Sequence, residues 1–239
     1  MDPAIRKKMR ECEDTLWYSL GMDRIVMRLM DMYIDRPKNF ILDIGCDTGR
    51  SFRVLSRYGD VVGVDKAREA REYADVSDQG KIFVGDAAHL PFDNNSFHIV
   101  TCFDVLYHRW VADDVGIMRE AYRVLKSGGL FILKEPAFDW LRSQHDVLYE
   151  TRHRYTRREL IQKLKAAGFS VQKSTYANFL LFPLAVFTRI IEKFFTRLHS
   201  IDSLCADVPV FKYFLFTEAW FLRFVSFPFG LSILCVAKK

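Results

Sequence analysis

From residue 40 to about 175, short apolar runs alternate with longer amphipathic ones, and this rhythm confines the chain to βα units feeding a mostly parallel sheet. Apolar runs at 40–44, 61–64, 81–84, 98–103, 130–134 and 169–174 predict six strands. Amphipathic spacing at 51–58, 67–74, 113–125 and 157–167 predicts helices between them. Lys126, Ser127, Gly128 and Gly129 mark the exit from the third of these helices. Upstream, Ile25, Leu29 and Met32 share one face of a helical cap, and residues 231–237 read as a last strand.

Between the sixth and the last strand the rhythm stops and phenylalanine takes over. The chain of 239 residues holds 21 Phe, and 12 of them fall between Phe179 and Phe229. Two helices are expected there. In the first, Phe187, Ile190, Ile191, Phe194 and Leu198 recur at helical spacing, with Arg189, Glu192, Lys193 and Arg197 on the other side. The second, near 209–225, is apolar almost all round and is broken only by Lys212, Glu218 and Arg223. The longest clean apolar run, 179–187, has nine residues, against the roughly 20 that a membrane-spanning helix needs. Five basic and four acidic residues between Tyr176 and Gly230 give little pull toward anionic lipid. The segment can be core under the sheet edge, a surface lying on a membrane, a dimer interface, or a lid over a hydrophobic acceptor, and the lid is the preferred reading.

Charge and cysteine usage narrow the remaining classes. Thirty-five Lys and Arg against 30 Asp and Glu leave +5, too small an excess to indicate a nucleic-acid binder. Cys12, Cys46, Cys102, Cys205 and Cys235 are odd in number and contain no C-x-x-C pair, so neither a disulfide framework nor a metal site is signalled. A cytoplasmic location is expected, because Arg6, Lys7, Lys8 and Arg10 lead into no apolar signal region.

The most specific local pattern follows the first predicted strand. Asp43, Gly45, Cys46, Asp47, Thr48 and Gly49 form a strand, glycine turn and helix start, which presents backbone N–H groups to a ligand. Asp65 ends the second predicted strand, 22 residues after Asp43, where a carboxylate accepts hydrogen bonds from both hydroxyls of a ribose. The dinucleotide fingerprint G-x-G-x-x-G is not met, since Asp47 holds the middle glycine position. An acid inside the loop repels a pyrophosphate, so an adenosine without phosphates fits better. A plain tight βα turn, with Asp43 as a turn-stabilising carboxylate, is the alternative.

These residues resemble the class I S-adenosylmethionine-dependent methyltransferases, in particular the broad small-molecule group labelled type 11. The resemblance rests on Leu42, Asp43, Gly45, Cys46, Thr48 and Gly49, then on Val62, Gly63, Val64 and Asp65. It continues through Gly85, Asp86, Ala87, Leu90, Pro91, Phe92, Ser96 and Phe97, then Asp104, Val105, Leu106 and His108, and then Arg123, Val124, Leu125, Lys126, Gly128 and Gly129. It implies a Rossmann-like, doubly wound α/β sheet of seven strands with the last antiparallel. It implies S-adenosylmethionine as cofactor, with Asp43, Gly45, Cys46 and Gly49 around its methionine and ribose and Asp65 on the ribose hydroxyls. Lys66, Asp86 and Ala87 would then flank the adenine, and Phe103 and Asp104 the methionine end. Asp47 in place of glycine, and Tyr107 where a glutamate is common, depart from that pattern.

A narrower resemblance, to a bacterial and archaeal methyltransferase subgroup whose genes lie among those for surface polysaccharides, rests on Glu13, Trp17 and Tyr18, on Pro136, Phe138, Trp140, Leu141, Ser143, His145 and Asp146, on Arg154 to Glu159, and on Pro228, Gly230 and Ser232. It implies that the stretch after the fifth strand faces the acceptor. His145 with Asp146 as its orienting carboxylate is then the first candidate base, followed by His153 and Tyr155, with His108 as a further candidate; His145 reads equally as closing a loop hydrogen bond, and His108 as a satisfied polar residue under the cap. Six basic residues between Arg152 and Lys165 form a solvated helix face or a landing site for an anionic acceptor, for which Arg152 and Arg154 are better placed than Arg157, Arg158, Lys163 and Lys165.

One domain over 1–239 is therefore expected: a cap at 1–36, a cofactor-binding core at 37–175, a Phe-rich helical insertion at 176–230 and a last strand at 231–239. It should methylate a small-molecule or lipid-linked acceptor, at oxygen of a sugar or glycan precursor, with peripheral membrane contact open to the insertion. A quinone or polyketide-type ring methyltransferase is the enzymatic rival. A cofactor-binding partner of a membrane glycosyltransferase complex, without catalysis, and a nicotinamide enzyme are the readings of other classes.

Overall fold

The computed structural model describes residues 16–35, 38–75, 77–194 and 208–239, with the side chains of residues 144, 145 and 192–194 outside that set. Helix α1 (Trp17–Met30) precedes β1 (Asn39–Ile44), α2 (Phe52–Leu55), β2 (Gly59–Asp65), α3 (Arg68–Tyr73), β3 (Ile82–Val84) and β4 (Phe97–Phe103). There follow α4 (Asp114–Val124), β5 (Leu125–Pro136), α5 (Gln144–Leu148), α6 (Arg157–Ala166), β6 (Ser170–Ala177), α7 (Phe182–Phe194), α8 (Phe211–Phe221) and β7 (Ser232–Lys238).

The strands form a seven-stranded sheet in the order β3-β2-β1-β4-β5-β7-β6. The first five are parallel, and β7 inserts antiparallel between β5 and β6. Central strands are apolar because helices cover both faces: Ile41, Leu42, Ile44, Val100, Ile132 and Leu133 are all at 0% exposure. Strand order reverses between β1 and β4, and the crevice beyond the carboxyl ends of such a pair is where open α/β sheets bind ligands.

Local chemistry sets the helix starts. Asp113 caps α4 by accepting the Gly116 N–H at 2.9 Å. Thr156 caps α6 by accepting the Glu159 N–H at 3.2 Å, the Thr-x-x-Glu spacing of a capping box. Helix α1 lies against α8 at Gly21, where a Cβ would come within 2.2 Å of Leu215 Cδ1.

Four expectations change. The helix expected over 51–58 is only α2, because the chain breaks into turns through Tyr58 to begin β2 at Gly59. Lys126 to Gly129 is not a helix exit; it lies inside β5, where Leu125 already pairs with Phe97 and the register shifts before Ile99. Ile25 and Leu29 are buried as expected, but Met32 sits in the turn after α1 and is half-buried. In α7, the apolar stripe points outward: Phe187 is 61% and Ile190 49% exposed, while Arg189 donates to the Leu141 carbonyl at 2.6 Å. Leu198, Arg197, Cys12, Cys205 and Glu13 lie outside the described residues.

Candidate cofactor and active site

The site is built where β1 gives way to α2. Gly45 takes φ +70°, a left-handed conformation that glycine adopts without penalty, and its N–H bonds the Val64 carbonyl at 2.8 Å. A Cβ at Gly45 would stand 2.3 Å from Val105 Cγ2, so the loop after β4 presses directly on it. Asp47, also left-handed at φ +44°, donates its N–H to Asp65 Oδ2 at 3.0 Å. The aspartate standing where glycine is usual therefore keeps a glycine-like backbone, held by the carboxylate of the neighbouring strand.

Asp65 is the hub of this arrangement. Its Oδ2 accepts from Asp47 and its Oδ1 accepts from the Ala67 N–H at 2.9 Å, which fixes the carboxylate plane at the mouth of the sheet. Each carboxylate oxygen retains a second lone pair, so two further donors can be accepted. Asp43 lies behind the loop at 2% exposure, receiving Ser51 Oγ and, at 2.5 Å, Thr101 Oγ1. Burial pushes its carboxyl up to about 6, and those two hydroxyls pull the other way. Cys46 is buried at 5%, and burial raises its thiol far above the usual range, so it packs as a small apolar group.

A narrow cleft of about 20 Å³ opens beside the loop, lined by Gly45, Val64, Asp65, Lys66, Gly85, Asp86, Ala87, Val105 and Trp110. It gathers Gly45, Asp65, Lys66, Asp86 and Ala87 from the ten expected cofactor residues. Asp86 accepts the Ala88 N–H at 3.0 Å, and Lys66 Nζ stands 4.0 Å from its other oxygen. Asp43, Cys46 and Gly49 support the loop from behind and do not line the cleft, and neither do Phe103 and Asp104. Asp104 turns at φ +57° and pairs with Lys134 Nζ at 2.7 Å, with that ammonium 5.8 Å from the Phe103 ring centre. Burial disfavours the Lys134 charge, but Asp104, Tyr18 and Asp23 together outweigh it and the ammonium is held above its ordinary range.

Four contributors were not among the expected site residues. Val105 and Trp110 line the cleft, and Lys134 holds Asp104. Glu135, fully buried, accepts the N–H groups of Val105 and Leu106 on Oε1 at 3.2 and 2.8 Å and of Tyr107 on Oε2 at 3.1 Å. Burial drives its carboxyl well above the ordinary range, Asp104 adds to the rise, and the three N–H groups oppose it. A lone Lys-Glu pair ending the apolar run of β5 is the signal that could have found the last two.

The candidate bases are dispersed. His108 Nδ1 bonds the Tyr149 carbonyl at 2.9 Å, so Nδ1 carries the proton and Nε2 is the basic atom. Its ring is sandwiched by Tyr107 at 4.1 Å and Trp110 at 4.9 Å, and burial lowers its pKa. His153 Nε2 is 3.0 Å from both Glu159 oxygens, with Nδ1 3.8 Å from Asp139. Tyr155 is at 0% exposure with its hydroxyl given to the Leu106 carbonyl and Asp114, at 3.0 and 2.9 Å, so it stands in the core instead of beside an acceptor. The Asp146 carboxylate is gripped by Arg154 at 2.6 and 3.1 Å, and both are buried. His145 belongs to α5, and its side chain lies outside the described residues.

Three of the six basic residues from Arg152 to Lys165 are paired within the fold, while Arg158 and Lys165 are exposed. Arg154 is committed to Asp146, Arg152 reaches Asp114 at 3.4 Å, and Lys163, expected on a solvated face, reaches Asp114 at 3.0 Å. Among the described residues, no group of three or more His, Cys, Asp or Glu is placed to hold a metal.

A parallel sheet closed by one antiparallel strand, with a glycine turn after β1 and an acid after β2, defines a Rossmann-like fold of the methyltransferase type. The chain is similar across 92% of its length to a solved SAM-dependent methyltransferase from Archaeoglobus fulgidus, covering 95% of that chain with a TM-score of 0.59 and 17% identity. Residues 42–133 match the family model described as a methyltransferase domain. In sequence, the chain is 31% identical over 119 residues to the 27-O-demethylrifamycin SV methyltransferase of Amycolatopsis mediterranei, covering 46% of this chain and 43% of that protein. It is 28% identical over 123 residues to the sarcosine/dimethylglycine N-methyltransferase of Aphanothece halophytica, covering 47% and 44%. The chain spans about half the length of the curated relatives it matches.

The Archaeoglobus fulgidus protein is described as SAM-dependent, and the donors and acceptors present here suit that cofactor. Asp65 offers two spare lone pairs to a pair of vicinal hydroxyls. The loop carries Asp47, and its cation Arg50 is held by Asp23 at 2.8 Å, which suits a nucleoside without a pyrophosphate. Two of the side chains that line the cleft, Lys66 and Trp110, are exposed.

Proposed function

We propose that this chain is an S-adenosylmethionine-dependent methyltransferase acting on a small-molecule or lipid-linked acceptor, at oxygen of a sugar or glycan precursor. The observation that carries the reaction class is the Asp65 carboxylate, braced by two backbone N–H groups beside the left-handed Gly45 turn, within the segment that matches a methyltransferase domain. The cofactor supplies an electrophilic methyl group on a sulfonium. This chain's residues bind and align: Asp65 holds the ribose, Ala87 and Asp86 border the adenine, and Lys134 and Glu135 fix the loop from Asp104 to Tyr107 that faces the methionine end. Alignment of acceptor with methyl is the larger part of the rate, since the displacement is in-line and intramolecular in effect.

A proton leaves a hydroxyl acceptor during transfer, and His108 Nε2 is the residue best prepared to take it. Its tautomer is set by the Tyr149 carbonyl, and burial keeps it neutral at pH 7. His153, facing Glu159, is the second candidate.

One observation favours the ring-type acceptor as a second reading. Arg152 and Arg154, the cations expected to meet an anionic acceptor, are paired internally, while Phe138, Trp140 and Phe182 cluster beyond β5 with ring centres 5.9 to 6.3 Å apart. Release of S-adenosylhomocysteine, measured with polar saccharide lipids and with prenylated phenols, separates the two. Turnover on saccharide lipids supports the glycan acceptor; turnover on phenols alone removes it.

A further inference from the structure

Helix α8 spends one face on the fold and leaves the other to solvent. Leu215, Glu218, Ala219 and Leu222 are buried, and α8 packs on α1 at Gly21. On the outer side Tyr213, Phe214, Trp220, Phe221 and Phe224 are 44% to 62% exposed. Tyr213, Phe214, Trp220 and Phe221 fall on one side of the helix with Thr217 between them, and Phe224 extends the stripe in the turn after α8, where its N–H bonds the Phe221 carbonyl at 2.9 Å. Exposing five aromatic side chains on one face is costly in water and marks an interaction surface.

Charge identifies the partner. Three ionisable side chains of the basic and acidic types lie between residues 208 and 230: Lys212, Glu218 and Arg223. Glu218 is at 0% exposure and turned inward, where Oε2 accepts the N–H groups of Phe179 and Leu180. The surface charge of this stretch is therefore wholly positive, although the composition of the larger insertion is nearly balanced. Lys212 and Arg223 stand at the two ends of the stripe, 5.4 Å from the Tyr213 ring centre and 4.9 Å from that of Phe224. Aromatic bodies flanked by cations match the boundary between acyl chains and anionic headgroups. Eleven helical residues measure about 16 Å, half the thickness of a bilayer core, so α8 can lie in that plane and cannot cross it. A second copy on the same face would bring cations against cations with no exposed acid in this stretch to answer them.

We propose that the outer face of α8 docks this protein onto the surface of an anionic bilayer, with Phe221 and Phe224 inserted among the acyl chains and Lys212 and Arg223 at the headgroups. The docking does not depend on which acceptor is methylated.

Co-sedimentation of the full chain with vesicles of phosphatidylcholine alone, and of phosphatidylcholine with phosphatidylglycerol in equal parts, tests this. Wild type should sediment with the anionic vesicles, lose binding as salt is raised, and show a blue shift of Trp emission that disappears in Trp220→Phe. Phe221→Ser/Phe224→Ser should bind at least about tenfold more weakly with an unchanged thermal midpoint. Val147→Ser, which alters an exposed apolar residue on α5, should bind like wild type. Lys212→Glu/Arg223→Glu should lose the preference for phosphatidylglycerol. Failure of wild type to sediment with either vesicle overturns the proposal. So does equal binding by wild type and the double Phe variant, or a dimer that this variant dissociates while neither protein binds vesicles.

Discussion

Glu218 sits at the joint between α8 and the turn that follows β6, and its protonation should be written into the pH dependence of stability. At 0% exposure, burial pushes its carboxyl from 4.5 up to about 7, against the pull of the backbone N–H groups it accepts. The folded chain thus keeps a proton that the unfolded chain releases near pH 4.5. Stability from this group is complete below pH 4.5 and is lost as pH rises through about 7. A shift of that size corresponds to about 3 kcal/mol. Glu218→Gln cannot titrate, and the cost of its amide is the same at every pH. Urea unfolding of both proteins at pH 4.5 and pH 8 should show the variant gaining about 3 kcal/mol on wild type across that range, or roughly 6–12 °C in thermal midpoint for a chain of this length. Asp43, whose carboxyl is raised to about 6, weakens both proteins equally and cancels from the difference. A difference that stays constant within about 0.5 kcal/mol would refute the reasoning.

Three further substitutions address the loop and its supports. Asp65→Ala removes the carboxylate proposed to accept both ribose hydroxyls and the acceptor for Asp47, so affinity for S-adenosylhomocysteine should fall about 100-fold by calorimetry, with Asp65→Asn intermediate; a loss under about threefold sinks the ribose assignment. Arg154→Ala strands the buried Asp146 carboxylate and should cost about 3–5 kcal/mol in urea unfolding, whereas a cost below about 1 kcal/mol would show that pair to be unimportant. Gly45→Ala, at φ +70° with a Cβ 2.3 Å from Val105 Cγ2, should cost about 2 kcal/mol or more, and adding Val105→Ala should recover the steric part while the backbone part of about 1–2 kcal/mol persists. No recovery in the double variant would mean the contact is not the cause.

How far residue patterns reach is clear from particular elements. Runs of buried aliphatics place β1, β2 and β4 within two residues, because alternation with amphipathic helices is a property of neighbours along the chain. Gly45 and Asp65 come together in the cleft because a glycine turn after one strand and an acid after the next are fixed by the βα geometry itself. Pairings across long separations carry no such mark. Arg154 and Asp146, Lys163 and Asp114, or Tyr155 and Leu106 read as reactive or solvated groups until the fold brings them together in the interior. Helix 51–58 fails for another reason: the strand that follows it claims residues from Gly59 on, and four residues are all that remain helical. The outward aromatic stripe of α8 has the same apolar composition as a core helix, and only burial tells which face is which.

The central claim is that the cleft between the Gly45 turn, Asp65 and Ala87 holds S-adenosylmethionine. Calorimetric titration of the wild-type chain with S-adenosylhomocysteine, with NAD as the comparison, tests it most directly. The account predicts saturable heat at one site per chain with S-adenosylhomocysteine and none with NAD. Absence of heat with S-adenosylhomocysteine, or tighter binding of NAD, would contradict it.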